Sequence, residues 1–273
     1  MKIIRAENYG FCYGVKRAVK IAQEAAKGYN NSVATLGELV HNPRVKINLA
    51  KEAVGCAESL EEFKAGDVVI FRSHGVGPTV YEEAKAKGLT LVDATCPHVR
   101  KAQLSAESLA KAGRYVIIIG EKRHPEVKSI LAWAGKEAMV VETEEDIPLL
   151  PVKPSYGVVC QTTFAASRFE ELLGKIQQAH PGDYQVTVTI CTATKERQQA
   201  AIALAKQVDV VFVFGGRNSA NTRHLWELVK AINPRCYLLE EASEISLQML
   251  QNASTIGITA GASTPEEIIE EAV

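Results

Sequence analysis

Short β-branched runs alternate with longer amphipathic stretches along the whole 273-residue chain, and no other feature limits its fold as strongly. Runs at 2–5, 33–36, 67–71, 90–93, 115–120, 138–142, 156–160, 185–190, 208–214, 235–239 and 255–258 read as strands. Helical patterns lie between most of them. Residues 15–26 place Val15, Ala18, Val19, Ala22 and Ala26 on one face, close to the 3.6-residue period. A helix over 97–112 starts with Pro97 just inside a Thr/Cys cap and stops at Gly113; 193–207 and 222–232 read the same way. Alternation on this scale predicts an α/β fold with parallel sheets covered by helices.

No Pro/Gly/Ser-rich linker divides the chain. Cys12, Cys96 and Cys191 instead fall near the starts of successive thirds. We expect three similar α/β lobes with mostly parallel sheets, over 1–95, 96–188 and 189–273, the last including the C-terminal segment. A pseudo-threefold arrangement would let the three lobes face one centre.

Lys and Arg number 31 against 32 Asp and Glu, a formal net charge of −1, which argues against nucleic acid as the main partner. The longest apolar run, 200–205, falls far short of the roughly 18 to 20 residues that span a bilayer, so no membrane association is expected. Met1-Lys2-Ile3-Ile4-Arg5-Ala6-Glu7 carries no apolar signal region, which points to the cytoplasm. In that compartment six cysteines do not imply three disulfides, and the absence of any CxxC pair excludes a zinc ribbon or a thioredoxin motif.

Ligands of open α/β sheets bind beyond the carboxyl ends of the strands, so the residues that follow each run carry the functional information. Eight of these ends hold His, Cys, Thr, Asn, Ser or Gly. Cys96 and Cys191 end strands and open helices, and Cys12 lies in the Gly10-Phe11-Cys12-Tyr13-Gly14 turn before a helix. A helix N-terminus favours thiolate, the form that reacts or binds metal. Three such thiolates could hold an iron–sulfur cluster with one iron open to substrate. Position alone leaves that reading level with simple burial, because Cys also packs as a small hydrophobe. Cys56, Cys160 and Cys236 sit in or beside apolar runs, where packing is the better reading.

His41, His74 and His124 all follow strands beside Gly, Asn, Pro or Ser. One such histidine is usually a surface residue; three in equivalent places favour a site that binds phosphate or metal. His98, His180 and His224 belong to helices or their ends and read as ordinary. Gly215-Gly216-Arg217-Asn218-Ser219-Ala220-Asn221 and Gly261-Ala262-Ser263-Thr264-Pro265 could be plain turns, or could present N–H groups and hydroxyls to an anion. Neither matches the Walker A or dinucleotide pattern, which argues against ATP or NAD but not against a small diphosphate. Glu126 is a candidate proton donor and Thr162 a candidate relay, although a Glu in a first helical turn also serves the helix dipole.

Read together, Gly10-Phe11-Cys12-Tyr13-Gly14-Val15, Glu38-Leu39-Val40-His41-Asn42, Arg72-Ser73-His74-Gly75-Val76 and Asp93-Ala94-Thr95-Cys96-Pro97 resemble motifs of the 4-hydroxy-3-methylbut-2-enyl diphosphate reductase family. So do His124-Pro125-Glu126, Gln161-Thr162-Thr163, Cys191-Thr192-Ala193-Thr194 with Arg197-Gln198, Asn218-Ser219-Ala220-Asn221-Thr222 and Thr259-Ala260-Gly261-Ala262-Ser263. Each motif is weak alone, but the nine occur in order from about residue 8 to 265.

The resemblance implies the last step of the non-mevalonate isoprenoid pathway. That step is a two-electron reductive dehydroxylation of the allylic diphosphate to isopentenyl and dimethylallyl diphosphates. It implies three α/β lobes around a central 4Fe-4S cluster with Cys12, Cys96 and Cys191 as ligands. It implies diphosphate binding by His41, His74, His124, Ser219, Ala220, Asn221 and Ser263. Glu126 would be the proton source, assisted by Thr162 near the substrate hydroxyl, and reduced ferredoxin or flavodoxin the electron donor. Ala220 stands where many relatives have Ser; its N–H remains but one hydroxyl donor is lost, so somewhat weaker diphosphate binding is expected. Two other classes compete on the residues themselves: a zinc enzyme using two cysteines and a histidine, and a non-enzymatic binder of small phosphorylated ligands.

Overall fold

The computed structural model describes residues 1–273. The chain runs β1 (Lys2–Arg5), α1 (Tyr13–Gly28), β2 (Val33–Leu36), α2 (Pro43–Lys51), β3 (Val54–Ala57), β4 (Val68–Phe71), α3 (Pro78–Ala86) and β5 (Thr90–Asp93). It continues through α4 (Pro97–Lys111), β6 (Tyr115–Ile119), α5 (Pro125–Ala134), β7 (Ala138–Val141), β8 (Ser155–Cys160), α6 (Ala166–Ala179) and β9 (Asp183–Val186). The last part is α7 (Thr192–Ala205), β10 (Val210–Phe214), α8 (Ala220–Lys230), β11 (Cys236–Leu239), α9 (Leu247–Leu250), β12 (Thr255–Ala260) and α10 (Glu266–Ala272).

The strands make three four-stranded sheets, in the orders β3-β2-β4-β5, β7-β6-β8-β9 and β11-β10-β12-β1. Every pairing is parallel. The three orders are one pattern: a sheet's second strand pairs outside its first, then the third and fourth follow on the other side. The chain forms two compact units. One comprises Met1–Lys16, Val40–Asn48 and Thr192–Val273 and holds the sheet β11-β10-β12-β1; the other comprises Arg17–Leu39 and Leu49–Cys191 and holds the other two sheets.

The inner strands read as unbroken apolar runs because both of their faces are covered. Val68-Val69-Ile70-Phe71 and Val210-Val211-Phe212-Val213-Phe214 are buried throughout, as is 116–119 within β6. Helices approach the third strands closely where glycine removes a side chain. A Cβ on Gly157 of β8 would lie 2.8 Å from the Cβ of Leu109 on α4. A Cβ on Gly257 of β12 would lie 2.9 Å from the Cγ of Leu204 on α7. The same position in two sheets thus does the same packing.

Three expectations change. The run 2–5, expected in the first lobe, pairs with β12, in register Lys2 with Thr255 through Arg5 with Ile258. Residues 189–273 supply only three strands to their sheet, and β1, mostly exposed, suits its open edge. The strand expected at 185–190 is β9, which pairs with β8 and stops at Val186. Beyond it Thr187 still donates its N–H to Val158 O (2.8 Å), and the Thr189 hydroxyl accepts the Cys160 N–H (2.9 Å), replacing the ladder with side-chain chemistry. The edge strand Val54-Gly-Cys-Ala57 is an addition, for its small residues carry no β-branched run. No helix is long and apolar enough to cross a membrane.

The glycine contact yields a direct expectation. Gly157→Ala forces a methyl group against Leu109, and overpacking of this kind costs about 1–3 kcal/mol. Urea denaturation should show that loss; an unchanged midpoint would mean α4 is free to shift away from β8.

Candidate active site

The residues expected to act follow particular strands of the shared pattern. After first strands come His41 (following β2), His124 with Glu126 (β6), and Ser219, Ala220 and Asn221 (β10). After third strands come His74 (β4), Thr162 (β8) and Ser263 (β12). After fourth strands come Cys96 (β5), Cys191 (β9) and Cys12 (β1). The second strands β3, β7 and β11 contribute none of them.

In the unit holding β2–β9, Glu126 and Thr162 form the best-defined pair. Glu126 is the second residue of α5, 2% exposed, and Thr162 is 4% exposed. The Thr162 N–H donates to Glu126 Oε1 at 2.6 Å and the Thr162 hydroxyl to Oε2 at 2.9 Å. Burial pushes the carboxyl up to about 7, against the lowering effect of the two Thr162 hydrogen bonds, and the charge of Glu121 adds to the rise. A protonated Glu126 can donate to Thr162 Oγ1, which frees the threonine proton to pass onward. This is acid–relay geometry at a pKa suited to neutral pH.

His124 caps α5, with its Nδ1 accepting the Glu126 N–H at 3.2 Å. The neutral ring therefore carries its proton on Nε2, where it can donate. The His74 ring meets His124 edge-on, with centroids 5.2 Å apart at 90°. Cys96 is the N-cap of α4; its N–H donates to Ser73 O (3.0 Å), and Arg17 Nη1 donates to the preceding Thr95 O (3.1 Å). The Cys191 N–H donates to Thr162 O (3.0 Å), so this cysteine hangs directly on the partner of Glu126.

In the other unit, Cys12 directly precedes α1. Its Sγ accepts the Val15 N–H at 3.4 Å, and its own N–H donates to Ala262 O at 3.1 Å. Buried Arg197 on α7 grips the same turn, donating Nε and Nη2 to Gly10 O at 3.2 and 2.8 Å. Ser219 caps α8, Ala220 and Asn221 are its first two residues, and all three are buried. The helix therefore offers an anion its free N–H groups. Asn221 Nδ2 is buried without a hydrogen-bond partner. The half-buried His41 lies where loops interlock: its carbonyl accepts the Ser263 hydroxyl (3.2 Å), and a Cβ on Gly216 would lie 2.6 Å from the same oxygen.

None of the six cysteines is in a disulfide, and they divide by environment. Cys12, Cys96 and Cys191 are half-buried and each opens a helix. Cys160 and Cys236 are buried; burial pushes the Cys160 thiol up, and Cys236 reaches about 12. Both are protonated core residues. Cys56 is half-buried on the edge strand β3. His180 is satisfied by Ile147 O at 2.9 Å. Two contributors were not singled out in advance. Arg197 and Thr222 each lay within a quoted motif but had no role there.

The chain matches the family model described as LytB protein over residues 3–273. It is 42% identical to a 4-hydroxy-3-methylbut-2-enyl diphosphate reductase of Aquifex aeolicus, covering 98% of this chain and 93% of that protein. A reductase of the same name from Trichlorobacter lovleyi is 43% identical, covering 99% and 96%. Among solved structures, the E-1-hydroxy-2-methyl-but-2-enyl-4-diphosphate reductase from Plasmodium falciparum superposes with a TM-score of 0.94 at 30% identity, covering 99% of this chain and 86% of that one. A structure of (E)-4-hydroxy-3-methyl-but-2-enyl diphosphate reductase gives 0.74 at 42% identity, covering 99% and 97%.

Glu126 ties stability to pH. Folding raises its pKa from 4.5 to about 7, so the folded state holds the proton more tightly, and stability falls as pH climbs through that interval. The loss reaches about 3 kcal/mol by pH 8. Glu126→Gln removes it: in urea denaturation the variant should gain on the parent at pH 8, and the gain should shrink toward pH 5. An equal difference at both pH values would contradict the raised pKa.

Proposed function

The chain belongs to the LytB family of 4-hydroxy-3-methylbut-2-enyl diphosphate reductases, and from that premise we propose that it carries out the two-electron reductive dehydroxylation of this allylic diphosphate. The products are isopentenyl and dimethylallyl diphosphates. The C–O bond breaks, the hydroxyl leaves with one proton as water, and a second proton ends on a carbon of the allyl unit. Two electrons balance the step, and reduced ferredoxin or flavodoxin is the donor class.

The observation that carries this reading is the equivalence of Cys12, Cys96 and Cys191. Each is half-buried, follows the fourth strand of its sheet, and opens a helix whose N-terminus favours thiolate. Such a donor set fits a 4Fe-4S cluster held by three thiolates, with one iron left for substrate. When bound, the cluster supplies single electrons and a Lewis-acidic iron.

The chain's own residues do the rest. The α8 N-terminus, with Ser219, Asn221 and the Ala220 N–H, forms one cradle for the diphosphate, and Ser263 with His41 forms its neighbour in the same unit. Ala220 gives up a hydroxyl contact worth about 1 kcal/mol. His74 and His124 are the further imidazole donors of this reading, with the His124 proton on Nε2. Glu126, poised near 7, delivers the proton to the departing hydroxyl through Thr162. Its burial keeps a substantial fraction protonated at neutral pH, ready to act as an acid.

Anaerobic purification followed by iron, sulfide and zinc analysis tests the reading. The parent chain should be coloured and hold iron and sulfide in equal amounts. Cys12→Ser, Cys96→Ser and Cys191→Ser should each lose the cluster, while Cys236→Ala should keep it. Zinc without sulfide, or a colourless protein after reconstitution, would overturn the assignment.

A further inference from the structure

Thr222 is the third residue of α8 and is wholly buried. Its side chain fills the space between two loops. A Cβ on Gly215, which follows β10, would sit 2.7 Å from Thr222 Oγ1 and 3.0 Å from its Cγ2. A Cβ on Gly261, which follows β12, would run into the same Oγ1 and lie 3.0 Å from Thr222 Cβ. Gly215 also has φ +145, where other residues are strained. The loops are further tied by Gly261 N–H donating to Phe214 O (2.8 Å) and by the Thr264 hydroxyl donating to the same carbonyl (3.0 Å).

Stability does not account for a hydroxyl here. Thr222 Oγ1 is buried with no hydrogen-bond partner, and an apolar side chain would remove that cost. Size does account for it. A glycine Cα comes within about 3.3–3.6 Å of an oxygen, whereas carbon needs about 3.5–4.0 Å from carbon. An oxygen lets both glycines close in; a methyl group in its place would hold them apart.

We propose that Thr222 is a positioning residue for the diphosphate site: its hydroxyl oxygen, wedged between Gly215 and Gly261, sets the separation of the loops that carry Ser219 and Ser263. The proposal rests on those loops binding the diphosphate. Thr222 itself is wholly buried behind those loops. Its effect therefore falls on anion affinity rather than on the chemical step.

The test uses the cluster-loaded full chain under anaerobic conditions, with inorganic pyrophosphate as probe in calorimetry and steady-state kinetics alongside. Thr222→Val overfills the wedge and Thr222→Ala empties it. Each should weaken pyrophosphate binding and raise KM by about tenfold, with kcat within about threefold of the parent. Thr222→Ser keeps the oxygen and should stay within about twofold of the parent. Folded Thr222→Ala with parental pyrophosphate affinity would overturn the proposal, as would Thr222→Ser behaving like Thr222→Ala. If Thr222→Val does not fold, the alanine and serine variants decide alone. Parent protein that fails to bind pyrophosphate would sink the diphosphate reading itself, and the proposal with it, before any variant is compared.

Discussion

A parallel strand covered on both faces has no room for polar side chains along its length. β4, β6 and β10 obey this: their interiors are apolar and buried, and polarity begins at the residues that follow. Arg72-Ser73-His74 follows Phe71, and Gly215-Gly216 leads from Phe214 to Ser219. Because all strands of a sheet point the same way, their polar ends lie along one edge. The covering helices start just beyond that edge, so helix N-termini and strand ends meet there. The thiols, imidazoles, hydroxyls and free N–H groups gather at the strand ends because burial leaves them no other place.

Such an edge is costly to hold. Glu126 is buried, and its hydrogen bonds to Thr162 only partly offset desolvation. Asn221 Nδ2, Thr222 Oγ1 and Thr259 Oγ1 are buried without partners. The apolar interiors carry the stability that these groups spend: Ile117, Ile118 and Ile119 of β6 are fully buried just before the His124–Glu126 turn. Buried Arg197 adds rigid backing through two carbonyls, Gly10 O and, by Nη1 at 2.9 Å, Ala193 O of its own helix. Two guanidinium bonds to Gly10 O hold the Cys12 turn against α7.

Strand ends and helix starts were legible because they are local. Pro97 inside α4, and the Val/Ile/Phe runs of β4, β6 and β10, need no partner to be read. Pairing across sequence was not legible. Nothing in Lys2-Ile3-Ile4-Arg5 names β12 as its neighbour, since any open edge with matching register would serve. Val54-Gly-Cys-Ala57 is held as a strand by its pairing with β2 alone. In the site, residue types at strand ends were readable, but depth was not: Glu126 shows its character only once buried, and Thr222 only once two glycines close on it.

The displaced first strand bears most on the thiols. Had β1 belonged to the sheet formed by residues 33–93, Cys12 would have followed an extra strand with no counterpart elsewhere. Paired with β12, it follows a fourth strand, as Cys96 follows β5 and Cys191 follows β9. After each cysteine the chain turns at once into a helix. The three cysteines therefore close sheets rather than open lobes. The ladder itself carries the amino-terminal segment to its place: Ala6 N–H donates to Ile258 O (2.9 Å), and further along the Cys12 N–H reaches Ala262 O (3.1 Å). Ala262 adjoins Ser263, whose hydroxyl donates to His41 O. The Cys12 thiol near one end of the chain and the Ser263 hydroxyl near the other are thus set by the same pair of parallel segments, so an error in the register of β1 would displace Cys12 relative to the loop that carries Ser263.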